Sequence, residues 1–237
     1  MPPTSPALND EPTASPLRIH CIGDSITQGG REDRDEFTYR LPLQEMLLER
    51  GIQFEFIGSR IVGVDRMATW PEVHGRPFDP AHDGYYGAAT TYVRDELRAV
   101  LPVLPVPDIA LIHLGTNDQN AGNFETALVT PLADIVTMLR GKNPKVTIFL
   151  GHLNFHGGPA LVIRPLVEDL ATRLHEPGSP VVTVPHYEGW KAHPDDPATD
   201  TFDWVHPNPR GQRKMATAWL AAMTRVMPGV LGSVENR

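Results

Sequence analysis

Short apolar runs alternate with amphipathic stretches along most of this chain. The runs near 18–22, 52–57, 108–114, 145–150 and 180–184 predict strands, and the intervening stretches predict helices near 38–50, 90–100, 124–140, 160–175 and 208–226. In Ile109-Ala110-Leu111-Ile112-His113-Leu114, five of six residues are apolar, as expected for a parallel strand covered on both faces. Tyr39, Leu43, Met46 and Leu47 recur at helical spacing, and Gly51 stands where a C-terminal cap belongs. Strand and helix in alternation predict the α/β class, a parallel sheet with helices on both faces. Right-handed crossovers then generate a three-layer α/β/α sandwich. There is no internal repeat.

Chemistry-bearing residues cluster just after these runs. Gly23-Asp24-Ser25 follows the apolar run Arg18-Ile19-His20-Cys21-Ile22, on the rim where open α/β sheets place their ligand sites. Far downstream, Asp203-Trp204-Val205-His206-Pro207-Asn208 places an acid three residues before a histidine. Pro207 suits the first turn of a helix, which sets His206 just ahead of the last helical pattern. A hydroxyl, an imidazole to take its proton and a carboxylate to hold the imidazole are the requirements of nucleophilic acyl transfer. Each motif alone also fits a plain turn. Gly115-Thr116-Asn117-Asp118 ends the third strand on the same rim, where Asn117 fits either a donor to a developing oxyanion or an Asx turn.

Four blocks occur in order: Gly23-Asp24-Ser25-Ile26-Thr27, Asp83-Gly84-Tyr85-Tyr86-Gly87-Ala88, Gly115-Thr116-Asn117-Asp118 and Asp203-Trp204-Val205-His206-Pro207-Asn208. The chain thereby resembles the SGNH (GDSL-type) hydrolase superfamily. The resemblance implies a flavodoxin-like, five-stranded parallel sheet of order 2-1-3-4-5, with the site at the switch between the first and third strands. It implies Ser25 as nucleophile, His206 as base and Asp203 as the group orienting it. The implied oxyanion donors are the Ser25 N–H, the Gly87 N–H and the Asn117 amide, with no cofactor and no metal. Gly87 is taken over Gly84 because Gly87-Ala88-Ala89-Thr90 leads into a helix.

Gly23-Asp24-Ser25-Ile26-Thr27-Gln28-Gly29, Phe54-Glu55-Phe56-Ile57-Gly58-Ser59 and His82-Asp83-Gly84-Tyr85-Tyr86-Gly87 are most similar to carbohydrate esterases of the acetylxylan-esterase type. This implies hydrolysis of small acyl esters, acetyl above all, on a small-molecule or polysaccharide alcohol. SGNH lysophospholipases, arylesterases and thioesterases share the four blocks, and a non-catalytic carbohydrate-binding module on the same fold is the alternative from another class. The expected substrate-facing residues are Asp24, Trp70, Tyr85, Tyr86 and Trp204. Trp70, Phe78, Tyr85 and Tyr86 belong to a long aromatic loop from about 60 to 86, expected to wall the pocket.

Composition narrows the field further. A chain of 237 residues suits one domain, expected over 17–237 after a Pro- and Ser-rich, disordered lead-in at 1–16. A net charge of -8 argues against a general nucleic-acid-binding role. Cys21 is the only cysteine, so no intrachain disulfide forms. No run is long enough to span a bilayer, and the lead-in lacks the basic and apolar regions of a signal peptide. A cytoplasmic protein, or a mature one already relieved of an export signal, is the expectation. His152 and His156 lack the glutamate of a His-Glu-x-x-His zinc motif, and the Asp195, Asp196 and Asp200 loop has no EF-hand spacing. Those acids read either as a border of the pocket or as a solvated charge run.

Overall fold

The computed structural model describes residues 15–65 and 69–232, so the greater part of the expected lead-in lies outside the described residues. The strands are β1 (Leu17–Gly23), β2 (Phe54–Ile57), β3 (Asp83–Gly84), β4 (Ile109–His113), β5 (Thr147–Gly151) and β6 (Val181–Val184). All pair in parallel in the order β2-β1-β4-β5-β6, with the two-residue β3 joining β1 beyond the end of β2. Counting the five longer strands alone gives the order 2-1-3-4-5. The short β3 is an addition too brief to leave a periodic signal.

Helices α1 (Ser25–Gln28), α2 (Arg40–Glu49), α3 (Thr90–Val100), α4 (Thr130–Lys142), α5 (Ala160–Leu174), α6 (Pro209–Val226) and α7 (Pro228–Leu231) complete the fold. A wide π-type turn over Glu125–Val129 leads directly into α4. Successive strand residues point to opposite faces, and the core divides accordingly. Ala110, Ile112, Ile148 and Leu150 pack with Val93, Leu97, Ile135 and Ile163 of α3, α4 and α5. Ile19, Cys21, Leu111 and Phe149 pack with Leu43, Leu47, Trp219 and Met223 of α2 and α6. Cys21 is thus a small buried hydrophobe, its thiol pushed up to about 12 by burial.

The order in which strands are added to the sheet reverses at β1, between β2 and β4, the switch point at which open α/β sheets form a crevice beyond the carboxyl ends of their strands. Gly23 closes β1 for a steric reason. A Cβ there would stand 2.2 Å from Thr27 Oγ1 and 2.7 Å from the His113 carbonyl oxygen, so only glycine lets α1 fold back against β4.

Candidate active site

Asp24 caps α1, its Oδ1 accepting the Ile26 N–H at 3.0 Å. Ser25 is the first helical residue, so its N–H is one of those a helix leaves without an intrahelical acceptor. Arg40, fully buried on α2, donates to the Thr27 carbonyl at 3.0 Å and the Gln28 carbonyl at 3.1 Å, which anchors the short helix from behind.

The other half of the site comes from the loop before α6. Thr201 and Pro207 form an antiparallel bridge, and Phe202 N–H donates to the His206 carbonyl at 2.9 Å, so residues 202–206 make a closed tip. Asn208 then caps α6 by accepting the Gly211 N–H at 3.0 Å, with Pro209 in the first turn. The proline that opens the helix is therefore Pro209. Pro207, expected in that role, is held in the bridge.

These two halves meet at Ser25. His206 Nε2 lies 3.0 Å from Ser25 Oγ, and His206 Nδ1 lies 3.0 and 2.9 Å from the two Asp203 oxygens. Because Nδ1 faces only carboxylate oxygens, it carries the proton in the neutral ring, and Nε2 is left to accept from the serine. Asp203 also accepts the His206 backbone N–H at 2.8 Å. Burial opposes its charge, yet the His206 N–H, the imidazole and Arg34 together hold its carboxyl down at about 2.

The remaining rim is tied together by side chains. Gly87 adopts φ +71, where a Cβ is disfavoured, and the preceding Tyr86 N–H donates to Gln28 Oε1 at 2.7 Å. Asn117 Nδ2 donates to the Ala88 carbonyl at 2.9 Å. Asp118 accepts the Thr90 N–H at 3.1 Å and the Thr90 hydroxyl at 2.7 Å, capping α3 from outside its own segment. The loop bearing Gly87 and the turn bearing Asn117 are therefore tied to each other.

Such a serine, imidazole and carboxylate chain suits acyl transfer to water. A model of the GDSL-like Lipase/Acylhydrolase family matches residues 21–214, the span that contains all of these groups. The chain belongs to this family. A "Multidomain esterase" of Ruminococcus flavefaciens is 26% identical over 237 residues, which cover 92% of this chain and 29% of that protein. The chain thus spans under a third of the relative's length. Among solved structures, a carbohydrate esterase family 3 protein from Talaromyces cellulolyticus superposes with a TM-score of 0.70 at 21% identity, covering 90% of this chain and 99% of that one. A family 3 carbohydrate esterase from Clostridium thermocellum gives 0.67 at 22% identity, with 92% and 100% covered. An acetyl esterase mutant with acetate ion gives 0.70 at 20% identity, with 90% and 99% covered.

On this GDSL-type scaffold the residues expected to face substrate separate into two groups. Tyr86 is 42% exposed, with its ring stacked on His206, and Trp204 is 52% exposed at the tip between Asp203 and His206. Trp204 holds φ +74 and packs edge-on to His193 at 4.3 Å. Asp24, by contrast, is fully buried as the α1 cap, and burial pushes its carboxyl up to about 6. Trp70 packs on Phe78 at 4.7 Å and on Phe37 at 5.9 Å, and Arg40 lies over both Trp70 and Phe78. This part of the aromatic loop covers α2 and the core, and it does not wall the pocket. Tyr85 is nearly buried, its hydroxyl donating to Asp83 at 3.1 Å.

Asp200, one of the acids of the last loop, is wholly buried. It accepts Lys214 at 2.6 Å and the Lys191 N–H at 2.8 Å, so it fastens the loop that presents Asp203. Sequence reasoning also passed over Arg34 and Glu36. Arg34 Nη1 donates to Asp203 Oδ2 at 2.8 Å, while its Nε and Nη2 reach Glu36 Oε2 at 2.8 and 2.6 Å. Glu36 is only 2% exposed, and its carboxyl is raised by burial. Both belong to Arg31-Glu32-Asp33-Arg34-Asp35-Glu36, which reads as an ordinary solvated charge run.

Proposed function

We propose that this esterase removes small acyl groups, acetyl above all, from carbohydrate esters through an acyl-enzyme on Ser25. The observation that carries the reading is the unbroken chain from Ser25 Oγ to His206 Nε2 at 3.0 Å and from His206 Nδ1 to Asp203 at 2.9 Å.

In the first step His206 Nε2 takes the Ser25 proton as Oγ attacks the ester carbonyl. The carbonyl π pair moves onto oxygen, where the Ser25 and Gly87 N–H groups and the Asn117 amide stabilise it. The pair then returns, the C–O bond to the alcohol breaks, and the imidazolium gives its proton to the leaving oxygen. Water repeats the sequence on the acyl-serine, releasing the acid and restoring the Ser25 hydroxyl. Asp203 stays ionised throughout, because its hydrogen bonds favour the charged form.

Two features favour a sugar alcohol and a short acyl group. Tyr86 and Trp204 expose aromatic surface at the catalytic histidine, and aromatic faces suit the apolar side of a sugar ring. Carbohydrate esterases of family 3 and an acetyl esterase with acetate ion share the fold at high coverage. Steady-state kinetics on p-nitrophenyl esters from acetate to laurate, alongside acetylated xylan, tests the reading. The expected result is a steep fall of kcat/KM with acyl length and release of acetate from the polysaccharide. An optimum at octanoate or longer would transfer the site to lipid-like esters.

A further inference from the structure

The loop that carries the Gly87 N–H serves two spaces. Tyr86, whose ring stacks on His206, joins Gly87 and Ala88 in one wall of a cleft of about 480 Å³, whose lining includes Gln28 of α1, Arg60, Tyr85 and Tyr92. The cleft therefore adjoins the site, sharing Tyr86 with His206 and Gln28 with the helix that opens at Ser25.

Arg60 is held in place by its backbone and by one face of its guanidinium. Arg60 N–H donates to the His82 carbonyl at 3.1 Å, and His82 N–H returns to the Arg60 carbonyl at 2.9 Å. Its guanidinium carbon lies 4.7 Å from the centre of the Tyr85 ring. Tyr85 is fixed in turn by its hydroxyl on Asp83 and by edge contact with Tyr92 at 5.8 Å. The cation is thus preorganised, with little rotamer entropy left to lose.

Among the described residues no group neutralises this cation. Its Nε is buried without a hydrogen-bond partner, and Arg60 forms no ion pair among the described residues. Asp83, the carboxylate beneath Tyr85, is taken by His20 at 2.6 Å, by the Ser59 hydroxyl at 2.5 Å and by Tyr85. Asp65, next to the Val64 that also lines the cleft, accepts the Glu32 N–H at 3.1 Å. The neighbouring arginines are engaged: Arg31 with the Tyr86 hydroxyl, Arg34 with Glu36 and Asp203, and Arg40 with main-chain carbonyls. In a chain of net charge -8, an oriented and unpaired guanidinium beside the reacting centre calls for an anion from outside.

We propose that this cleft is a subsite for a carboxylate on the alcohol half of the substrate, namely a uronic acid unit attached beside the acetylated sugar. Arg60 receives the carboxylate, and the exposed faces of Tyr92 and Tyr86 border the ring that carries it. The inference rests on the carbohydrate deacetylase reading and adds its substrate class: acidic, branched acetylated saccharides are preferred over neutral ones.

The test compares kcat/KM on acetylated xylo-oligosaccharides with and without a glucuronic acid branch, for the wild type, Arg60→Gln and Arg60→Lys. The wild type should favour the acidic substrate by roughly tenfold or more, as a charge-assisted contact allows. That preference should collapse toward unity in Arg60→Gln, be partly kept in Arg60→Lys, and shrink with added salt. Acetate released equally from both substrates by the wild type would overturn the subsite and leave the deacetylase standing. So would a preference unchanged in Arg60→Gln. Absence of acetate release from every saccharide would overturn the reading on which the subsite rests.

Discussion

The Tyr86 ring lies parallel to the His206 imidazole, with centroids 5.5 Å apart and planes 8° from parallel. Arg31 sits over the same tyrosine, its guanidinium carbon 4.8 Å from the ring centre, and bonds the Tyr86 hydroxyl. The His206 imidazole is therefore oriented from two sides, by Asp203 through Nδ1 and by an aromatic face. Tyr86→Ala should lower kcat about tenfold, the scale of one aromatic pair. Tyr86→Phe, which keeps the stack and loses the hydroxyl, should recover most of it. Equal losses in the two variants would show that the Arg31 contact matters and the stack does not.

Arg34 links the site to a buried carboxylate, and this separates its structural effect from its effect on turnover. Arg34→Gln leaves the buried Glu36 with Arg31, at 3.9 Å, as its remaining counter-ion, so the fold should lose up to about 3 kcal/mol on denaturant titration. Arg34→Gln/Glu36→Gln removes the stranded charge and should regain most of that stability. It should not regain kcat, because Asp203 still lacks the Arg34 guanidinium that shares its Oδ2 with the imidazole. Full catalytic recovery in the double variant would reduce Arg34 to a structural ion pair.

Asn117 donates one amide proton to the Ala88 carbonyl, and a primary amide has a second to offer. Asn117→Ala should lower kcat by about 10²–10³-fold with little change in KM, since an oxyanion contact strengthens only in the transition state. A change confined to KM would assign Asn117 to ground-state binding or to holding the loop.

The pH dependence of stability should be set in part by three histidines at the ends of β4, β5 and β6. Burial lowers His113 and His152 to about 4, and lowers His186 well below its ordinary value. Unfolded, each takes its proton near pH 6.5. As pH falls from about 6.5 toward 4, the unfolded chain binds protons that the native state refuses, so stability drops across that window. Asp24, raised to about 6, works the other way and offsets one of them. Urea midpoints should fall between pH 7 and 4.5, with a shallower slope in His186→Phe. A flat profile would contradict buried neutral imidazoles at these positions.

Much of this was legible in the chain because its signals are local. The apolar runs marked the five longer strands, and Gly23, Gly87 and Gly115 punctuate the rim where they end. Ser25 and His206, 181 residues apart, were paired by chemistry and by block order, with no local signal linking them. What stayed hidden depends on tertiary neighbours. Trp70 and Phe78 look like pocket aromatics in sequence, yet the buried Arg40 draws them over α2. Arg34 and Glu36 look solvated until the loop before α6 brings Asp203 onto Arg34, and nothing near Arg60 in sequence shows that it has no ion pair among the described residues.

An acyl-enzyme on Ser25 is the intermediate on which the proposed mechanism turns, and mass spectrometry of the quenched reaction detects it. Protein mixed with p-nitrophenyl acetate, quenched in acid within the first turnover and digested, should carry one acetyl group on the peptide containing Ser25. Ser25→Ala should carry none and should lose esterase activity by several orders of magnitude, about the scale of removing a triad member. An acetyl group on another residue, or near wild-type turnover by purified Ser25→Ala, would contradict the account.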